Sequence, residues 1–246
     1  MPKLYAACAA LAALAFAAPA MAGDLTVAVA ANFTDPAKDI AAAFEKKTGT
    51  HVVMSFGPSG GFFSQIENGA PFEVFLSADA DRPAKLEADG YAVTSTHFAY
   101  AYGGLVLFSA TAGIDVQDKL AKGDYQHLAI ADPAAAPYGV AAVETLKKLG
   151  FYDAAAPKIV KGTSIAQAFS FTDSGSADLG FIALSQIYKT PHGSSWIVPQ
   201  DDYSPIEQDA TLLTAGQNDP AARAYLDYLK SQEAVAIIKS YGYQVK

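Results

Sequence analysis

Short, uninterrupted apolar runs alternating with segments of helical period set the first limit on how this chain folds. Residues 25–30 (LTVAVA), 51–56 (HVVMSF) and 74–76 (VFL) are almost wholly apolar. Runs of this kind belong to strands covered on both faces, not to strands with one wet side. Between the first two, Phe33, Ala37, Ile40 and Phe44 recur at helical spacing, and Gly49 follows as a stop. Phe62, Phe63 and Ile66 mark a short helix ending near Gly69, and residues 82–88 mark another. Further strands are expected over 105–108, 127–130, 158–160 and 179–182, with helices over about 138–149 and 164–173. Asp219-Pro220 reads as a capped helix start ahead of Ala222, Tyr225, Leu226 and Leu229, and a last helix carries Ala234, Ile237, Ile238 and Tyr241. Such a βαβ series builds an α/β fold, for which a doubly wound sheet is the natural architecture. There is no fixed-period repeat and no Gly/Ser linker, so any division into two lobes is crossed by ordered strands, near 100–106 and 203–213.

Of the 246 residues, 1–22 are expected to be a cleavable signal peptide: basic Lys3, an uncharged apolar stretch over 4–19, then the small-x-small site Ala20-Met21-Ala22. Cleavage near Ala22 sends the protein to the periplasm and removes Cys8, the sole cysteine. The mature chain then has no disulfide, no thiolate metal site and no cysteine nucleophile. Seventeen basic residues against 25 acidic ones give a charge of −8, or −9 without Lys3, which makes nucleic acid and anionic membrane poor partners. With 51% apolar and 17% charged residues the chain is too apolar for disorder, and its apolar runs are too often interrupted for repeated membrane insertion.

The informative positions are those where strands end and helices begin. Four junctions carry small or hydroxyl-bearing residues: Ala31-Asn32, Gly57-Pro58-Ser59-Gly60-Gly61, Pro137-Tyr138-Gly139 and Gly162-Thr163-Ser164-Ile165. Open α/β sheets bind ligands at the carboxyl ends of their strands, where free N–H groups and the helix dipole favour an anion. Each junction alone is what ordinary helix capping also produces; four together, two in each half, point to a site.

The second junction also matches G-x-S-x-G, the nucleophile elbow of serine hydrolases, with Ser59 as nucleophile. That rival needs a base, and His192 following Asp173 or Asp178 has the required chain order. No oxyanion segment of the HGGG type accompanies it, and no spaced His or Asp cluster suggests a metal. Gly60-Gly61 is not followed by the Lys of a phosphate loop. Asp79 and Asp132 read as stiffeners of the turns they open, and Trp196, Tyr100, Tyr102, Phe108 and Phe151 as core or seam packing.

The stretches VAVAANF (27–33), SFGPSGGFFSQIENGAP (55–71), FLSAD (75–79), ADPAAAPYG (131–139), ADLGFIALSQI (177–187) and AIIKSYGY (236–243) resemble the periplasmic molybdate-binding proteins of ABC transporters, which are type II solute-binding proteins. The resemblance implies a two-lobed fold, each lobe a mixed sheet flanked by helices, joined by two crossing strands. One lobe would comprise residues 23–103 and 206–246, the other 104–205. It implies a monomer without cofactor or enzymatic activity that binds molybdate or tungstate and delivers it to a membrane permease. Carried over residue by residue, the ligand contacts fall on Ala31, Asn32, Ser59, Tyr138 and Ile165. Asn32, Ser59, Tyr138 and Ile165 would touch the oxygens of molybdate and not its metal. Asn32 would offer side-chain and backbone N–H, Ser59 its hydroxyl and N–H, and Tyr138 and Ile165 chiefly their backbone N–H. Three departures bear on the donor set: Ala31 lacks a hydroxyl found there in many members, Pro58 lacks an N–H, and Ala183 stands where some members place a tyrosine.

A donor-only shell selects chemically. A protonated phosphate needs an acceptor for its own hydrogen, so the expected preference is for fully ionised tetrahedral dianions. A carboxylate ligand would call for an Arg, and a sugar for aromatic platforms; neither stands at these junctions.

Overall fold

A computed structural model describes residues 24–245; the expected signal peptide and Cys8 lie outside the described residues. In chain order the elements are β1 (Leu25–Ala30), α1 (Thr34–Thr48), β2 (Val52–Gly57), α2 (Ser59–Glu67), β3 (Val74–Ser77), α3 (Asp81–Ala88), β4 (Phe98–Gly103), β5 (Leu105–Ser109), α4 (Val116–Lys122), β6 (Leu128–Ala131), α5 (Pro137–Lys148), α6 (Tyr152–Ala155), β7 (Ile159–Gly162), α7 (Ile165–Asp173), β8 (Leu179–Ala183), β9 (Ser194–Ile197), β10 (Ile206–Leu212), α8 (Pro220–Leu229) and α9 (Gln232–Lys239). They form two five-stranded sheets, ordered β2-β1-β3-β10-β4 and β7-β6-β8-β5-β9. Each sheet with its helices is one lobe.

The apolar runs are continuous because both faces of the central strands are covered. On β1, Leu25, Val27 and Val29 face a core built with Phe33, Ile40 and Phe44 of the first helical segment and Tyr225 and Leu229 of α8. Ala28 faces the opposite side, against Phe62 and Ile66 of α2, Phe75 and Leu86. The second lobe repeats the arrangement: Leu105 and Leu107 face one core with Leu128, Phe181 and Tyr138, while Val106 and Phe108 face another with Ile182. Among the described residues no helix is long and apolar enough to cross a membrane.

Two mixed sheets take the place of a single doubly wound one. β1 runs parallel to β2 and β3, and β6 parallel to β7 and β8. The remaining strands return antiparallel: β10 between β3 and β4, and β5 between β8 and β9. The chain passes between lobes at Gly104, which separates β4 from β5, and again between β9 and β10. Residues 98–103 are thus more than a crossing; they form an edge strand of the first lobe. α2 begins at Ser59, three residues ahead of its apolar stripe, so Ser59 sits in the first helical turn. The final helix ends at Lys239, before Tyr241. α4 and β9 carry weak sequence signals, since α4 spans seven residues and β9 is a half-exposed edge strand.

One buried charge is poorly placed for stability. Asp209 on β10 is 2% exposed, sits beside a register shift between Gln208 and Asp209, and its Oδ1 has no hydrogen-bond partner. Burial, reinforced by the neighbouring Glu207, pushes its pKa from 3.8 up to about 6. The native state therefore holds this proton more tightly than the unfolded chain does, and stability falls as pH rises from about 4 to about 6. Asp209→Asn is expected to gain about 2 kcal/mol at pH 7 and to flatten that slope. Urea denaturation at pH 4 and pH 7 checks it: equal stabilities of variant and parent at pH 7 would refute the assignment.

Candidate functional site

Strand register brings the four junctions together. Within the first lobe Ala30 pairs with Gly57, so the chain leaves β1 at Ala31-Asn32 beside the place where it leaves β2 at Pro58-Ser59. Within the second, Ala131 pairs with Gly162, and Asp132 N–H donates to Gly162 O at 2.7 Å, which sets the Tyr138 segment beside Ser164-Ile165. A small cavity of about 10 Å³ between the lobes is lined by Ala31, Asn32, Ser59, Tyr138 and Ile165, together with Ala30, Gly57, Pro58, Ala78, Ala136 and Pro137. All five residues expected from sequence meet there. Ala183 does not line it, and no charged side chain does.

The amide groups are prepared for a guest. Away from the cavity, Asp115 caps α4, Asp219 caps α8, Ser231 caps α9, and Asp79 accepts the Arg82 N–H at 2.9 Å in the first turn of α3, while the short α6 has no side-chain cap. At the cavity, the turn at Ala31–Phe33, α2 and α5 have no side-chain cap; only α7 has one, where Ser164 accepts from Gln167. Buried N–H groups need partners, and uncapped helix starts that converge favour negative charge. Ser59, 1% exposed, adds a directed hydroxyl. Its Oγ accepts from Ala78 N–H at 2.9 Å, so its own proton turns to the cavity.

Asn32 contributes differently from expectation. Its Nδ2 donates to Gln208 Oε1 at 2.6 Å and to Tyr243 Oη at 2.9 Å, which spends both side-chain protons inside the protein. Asn32 therefore faces the cavity with its backbone, and its side chain anchors that backbone to β10 and the C-terminal segment. Gln208 in turn donates to Ile206 O at 3.1 Å. Tyr138 is likewise split in role. Its hydroxyl leaves the cavity, meets that of Tyr243, and rests against Gly103, where an added Cβ would come within 2.1 Å of it. Burial holds the Tyr138 phenol well above its ordinary pKa and pushes Tyr243 up to about 12, so both remain protonated donors.

The lobes touch around this cavity. Gly60 N–H donates to Ala135 O at 2.9 Å across the cleft, and a Cβ at Gly60 would lie 3.0 Å from that oxygen and from Arg82 Nη2. Only glycine lets α2 approach the opposite loop so closely. Arg82, at the mouth, is held by Asp79.

The hydrolase geometry is missing. His192 Nε2 does pair with Asp173 Oδ1 at 2.5 Å, but its ring meets Phe108 and Phe169 edge-on in the second lobe. Neither residue lines the cavity of Ser59, and the Ser59 hydroxyl contacts a backbone amide instead of a base. Gln208, Tyr243 and Ser185 surround Asn32; Ser185 and Tyr243 fall within stretches that carry the resemblance but are not candidate contacts there, and for Gln208 the signal in the sequence is the polar run Glu207-Gln208-Asp209 inside a strand.

The model of the bacterial extracellular solute-binding protein family matches residues 25–244. The chain is 55% identical over 231 residues to the molybdate-binding protein ModA of Rhodobacter capsulatus, covering 94% of this chain and 92% of that protein. It is 56% identical over 232 residues to ModA of Azotobacter vinelandii, covering 92% of each. Among solved structures, the Azotobacter vinelandii periplasmic molybdate-binding protein superposes with a TM-score of 0.87 at 43% identity, covering 91% of this chain and all of that one.

The seating of Tyr138 against β4 is directly testable. Gly103→Ala forces the phenol off the strand and is expected to cost about 1 to 3 kcal/mol of stability, as overpacking does. An unchanged urea midpoint would show that the Tyr138 hydroxyl is not lodged there.

Proposed function

The chain belongs to the bacterial extracellular solute-binding protein family, and on that premise we propose that it captures molybdate, and also tungstate, between its two lobes for delivery to the permease of an ABC transporter. The observation that carries the reading is the cavity itself: helix starts from both lobes, mostly uncapped, converge on about 10 Å³ of space with no charged side chain in its wall. Organic ligands occupy pockets of roughly 300 Å³ or more. The lobes leave no room for one here; the wall suits an anion satisfied by neutral donors, and the lobes part to admit it.

In this reading the backbone N–H groups of Ala31 and Asn32, with the N–H and hydroxyl of Ser59, hold the anion from the first lobe. Those of Tyr138 and Ile165 hold it from the second. Each buried bond to a charged acceptor contributes about 1.5 to 3 kcal/mol, and five or six of them outweigh desolvation and closure by the roughly 8 kcal/mol that micromolar binding requires. The overall negative charge is screened over about 10 Å and does not reach the buried ion with comparable strength. Because the wall offers no carboxylate, protonated phosphate leaves its hydrogen unpaired, while sulfate, equally ionised but smaller, has to be rejected by size.

The lobes would comprise residues 23–103 with 206–246, and residues 104–205, moving about the crossings at Gly104 and near 203–206. The two-sheet assignment of the strands supports this division. The protein would act as a periplasmic monomer, freed by cleavage near Ala22, that turns no substrate over; closure about the anion is the state the permease reads.

Thermal unfolding with molybdate, tungstate, sulfate and phosphate tests the reading. Ligand at 100 times its Kd adds about 2.7 kcal/mol to the native state. Large shifts are expected with molybdate and tungstate alone, and Ser59→Ala is expected to weaken both affinities about 10- to 100-fold. No shift with any oxyanion, or affinities unchanged in the variant, would overturn it.

A further inference from the structure

Asn32 lies between two spaces. One is the anion cavity; the other is a groove of about 180 Å³ between the lobes, lined by Ala31, Asn32, Pro36, Phe169, Ser185 and Gln186 among others. On the groove side, Ser185 Oγ donates to Asn32 O at 2.8 Å. Tyr243 Oη donates to the same oxygen at 2.8 Å and lies 3.2 Å from Ser185 Oγ. Ser185 follows β8 of the second lobe, whereas Asn32 and Tyr243 belong to the first. All three are at most 8% exposed.

We propose that Ser185 is a closure latch: a positioning residue of the second lobe whose hydroxyl locks onto the Asn32 carbonyl when the lobes meet, and so sets how slowly the bound oxyanion leaves. The inference rests on the oxyanion-capture reading above. Its physical basis is the division of labour at Asn32. The Tyr243 bond lies within one lobe and persists in any arrangement of the two, so the carbonyl is never left unpaired. The Ser185 bond spans the seam and forms only on closure. Its contribution therefore appears in the closed state alone, without contact with the ligand. Gln186 keeps the donor segment in place, since its Oε1 accepts from Ala183 N–H at 2.8 Å and its Nε2 donates to Ile165 O at 3.3 Å. Ser185 is thereby tied to the start of α7, one of the four helix starts at the cavity, so the latch and the second-lobe donors arrive together.

Release of radiolabelled molybdate into excess unlabelled molybdate, measured beside the association rate and the unfolding temperature of the ligand-free protein, separates a latch from a fold element. Ser185→Ala is expected to release about 3- to 10-fold faster, the range of one hydrogen bond. Its association rate should stay within about 2-fold, and the ligand-free unfolding temperature should not move. Ser185→Thr, which keeps the hydroxyl, is expected to restore slow release. Release from Ser185→Ala at the parent rate, or a ligand-free unfolding temperature that drops as far as the ligand-bound one, would overturn the latch while leaving oxyanion capture standing. Failure of the unsubstituted protein to retain molybdate would sink the capture reading and the latch with it.

Discussion

Backbone amides that have no partner inside the fold are the constraint on which this structure turns. A buried N–H without an acceptor costs a kilocalorie or more, and proteins ordinarily close helix starts with a side chain. Here that is done where the helices face away from the cleft, at Asp115, Asp219 and Ser231, and mostly left undone where they face into it. Parallel pairing then makes the open ends neighbours: the Ala30–Gly57 and Ala131–Gly162 pairs put two junctions of each lobe side by side. The sheets need this parallel core to aim the helices, and the antiparallel strands β10 and β5 return the chain so that two such cores can face each other.

The two lobes are joined by more than the chain. Gln208, Asn32 and Tyr243 form a buried polar cluster beside the crossings, and Tyr102 exchanges backbone hydrogen bonds with Gln244 at 2.8 and 3.1 Å, which pins the C-terminal segment to β4. Tyr138 enters this cluster from the second lobe with its hydroxyl while it also lines the cavity between the lobes. One residue therefore links the cavity wall to the crossings between the lobes. Farther out, Lys189 of the second lobe pairs with Asp39 of α1 at 3.1 Å and lies 3.6 Å from the centre of the Tyr241 ring. That pair is half exposed and screened by salt, so it contributes less to closure than the buried hydroxyls do.

Much of this was readable from residues in order. The central strands were legible because burial on both faces leaves an unbroken apolar run, and the four junctions because small and hydroxyl residues follow those runs directly. The edge strands were not: β4 alternates as FAYAYG and reads equally well as a crossing, and β9 is half exposed with only four residues. Nor was the cluster around Asn32, whose partners Gln208 and Tyr243 lie 176 and 211 positions away. Local pattern carries no information about such pairs, which exist only once the lobes and the C-terminal segment have docked. The departure at Asn32 has the same origin. An amide side chain beside a binding loop reads as a ligand donor until its long-range partners are known.

Ala31, Pro58 and Ala183, where the resemblance implies other residues in many relatives, can then be weighed together. Ala31 removes a hydroxyl, and Pro58 removes an N–H that would otherwise precede Ser59. A site that relied on side-chain donors would be weakened by both. Here the Asn32 side chain is spent on Gln208 and Tyr243 and the Tyr138 hydroxyl on Tyr243, so Ser59 alone brings a side-chain proton to the cavity among the five candidate residues. The remaining donors are main-chain groups, whose positions depend on strand register and helix starts and not on residue type. A substitution at Ala31 therefore alters volume and leaves most of the donor set intact, and Ala183 lies outside the cavity wall. Pro58, extended at φ −71° and ψ 142°, presets the turn into α2 and orients the Ser59 amide. The loss of one N–H is offset by the order imposed on the next, so a wall of neutral groups with few polar side chains keeps its remaining amides in place.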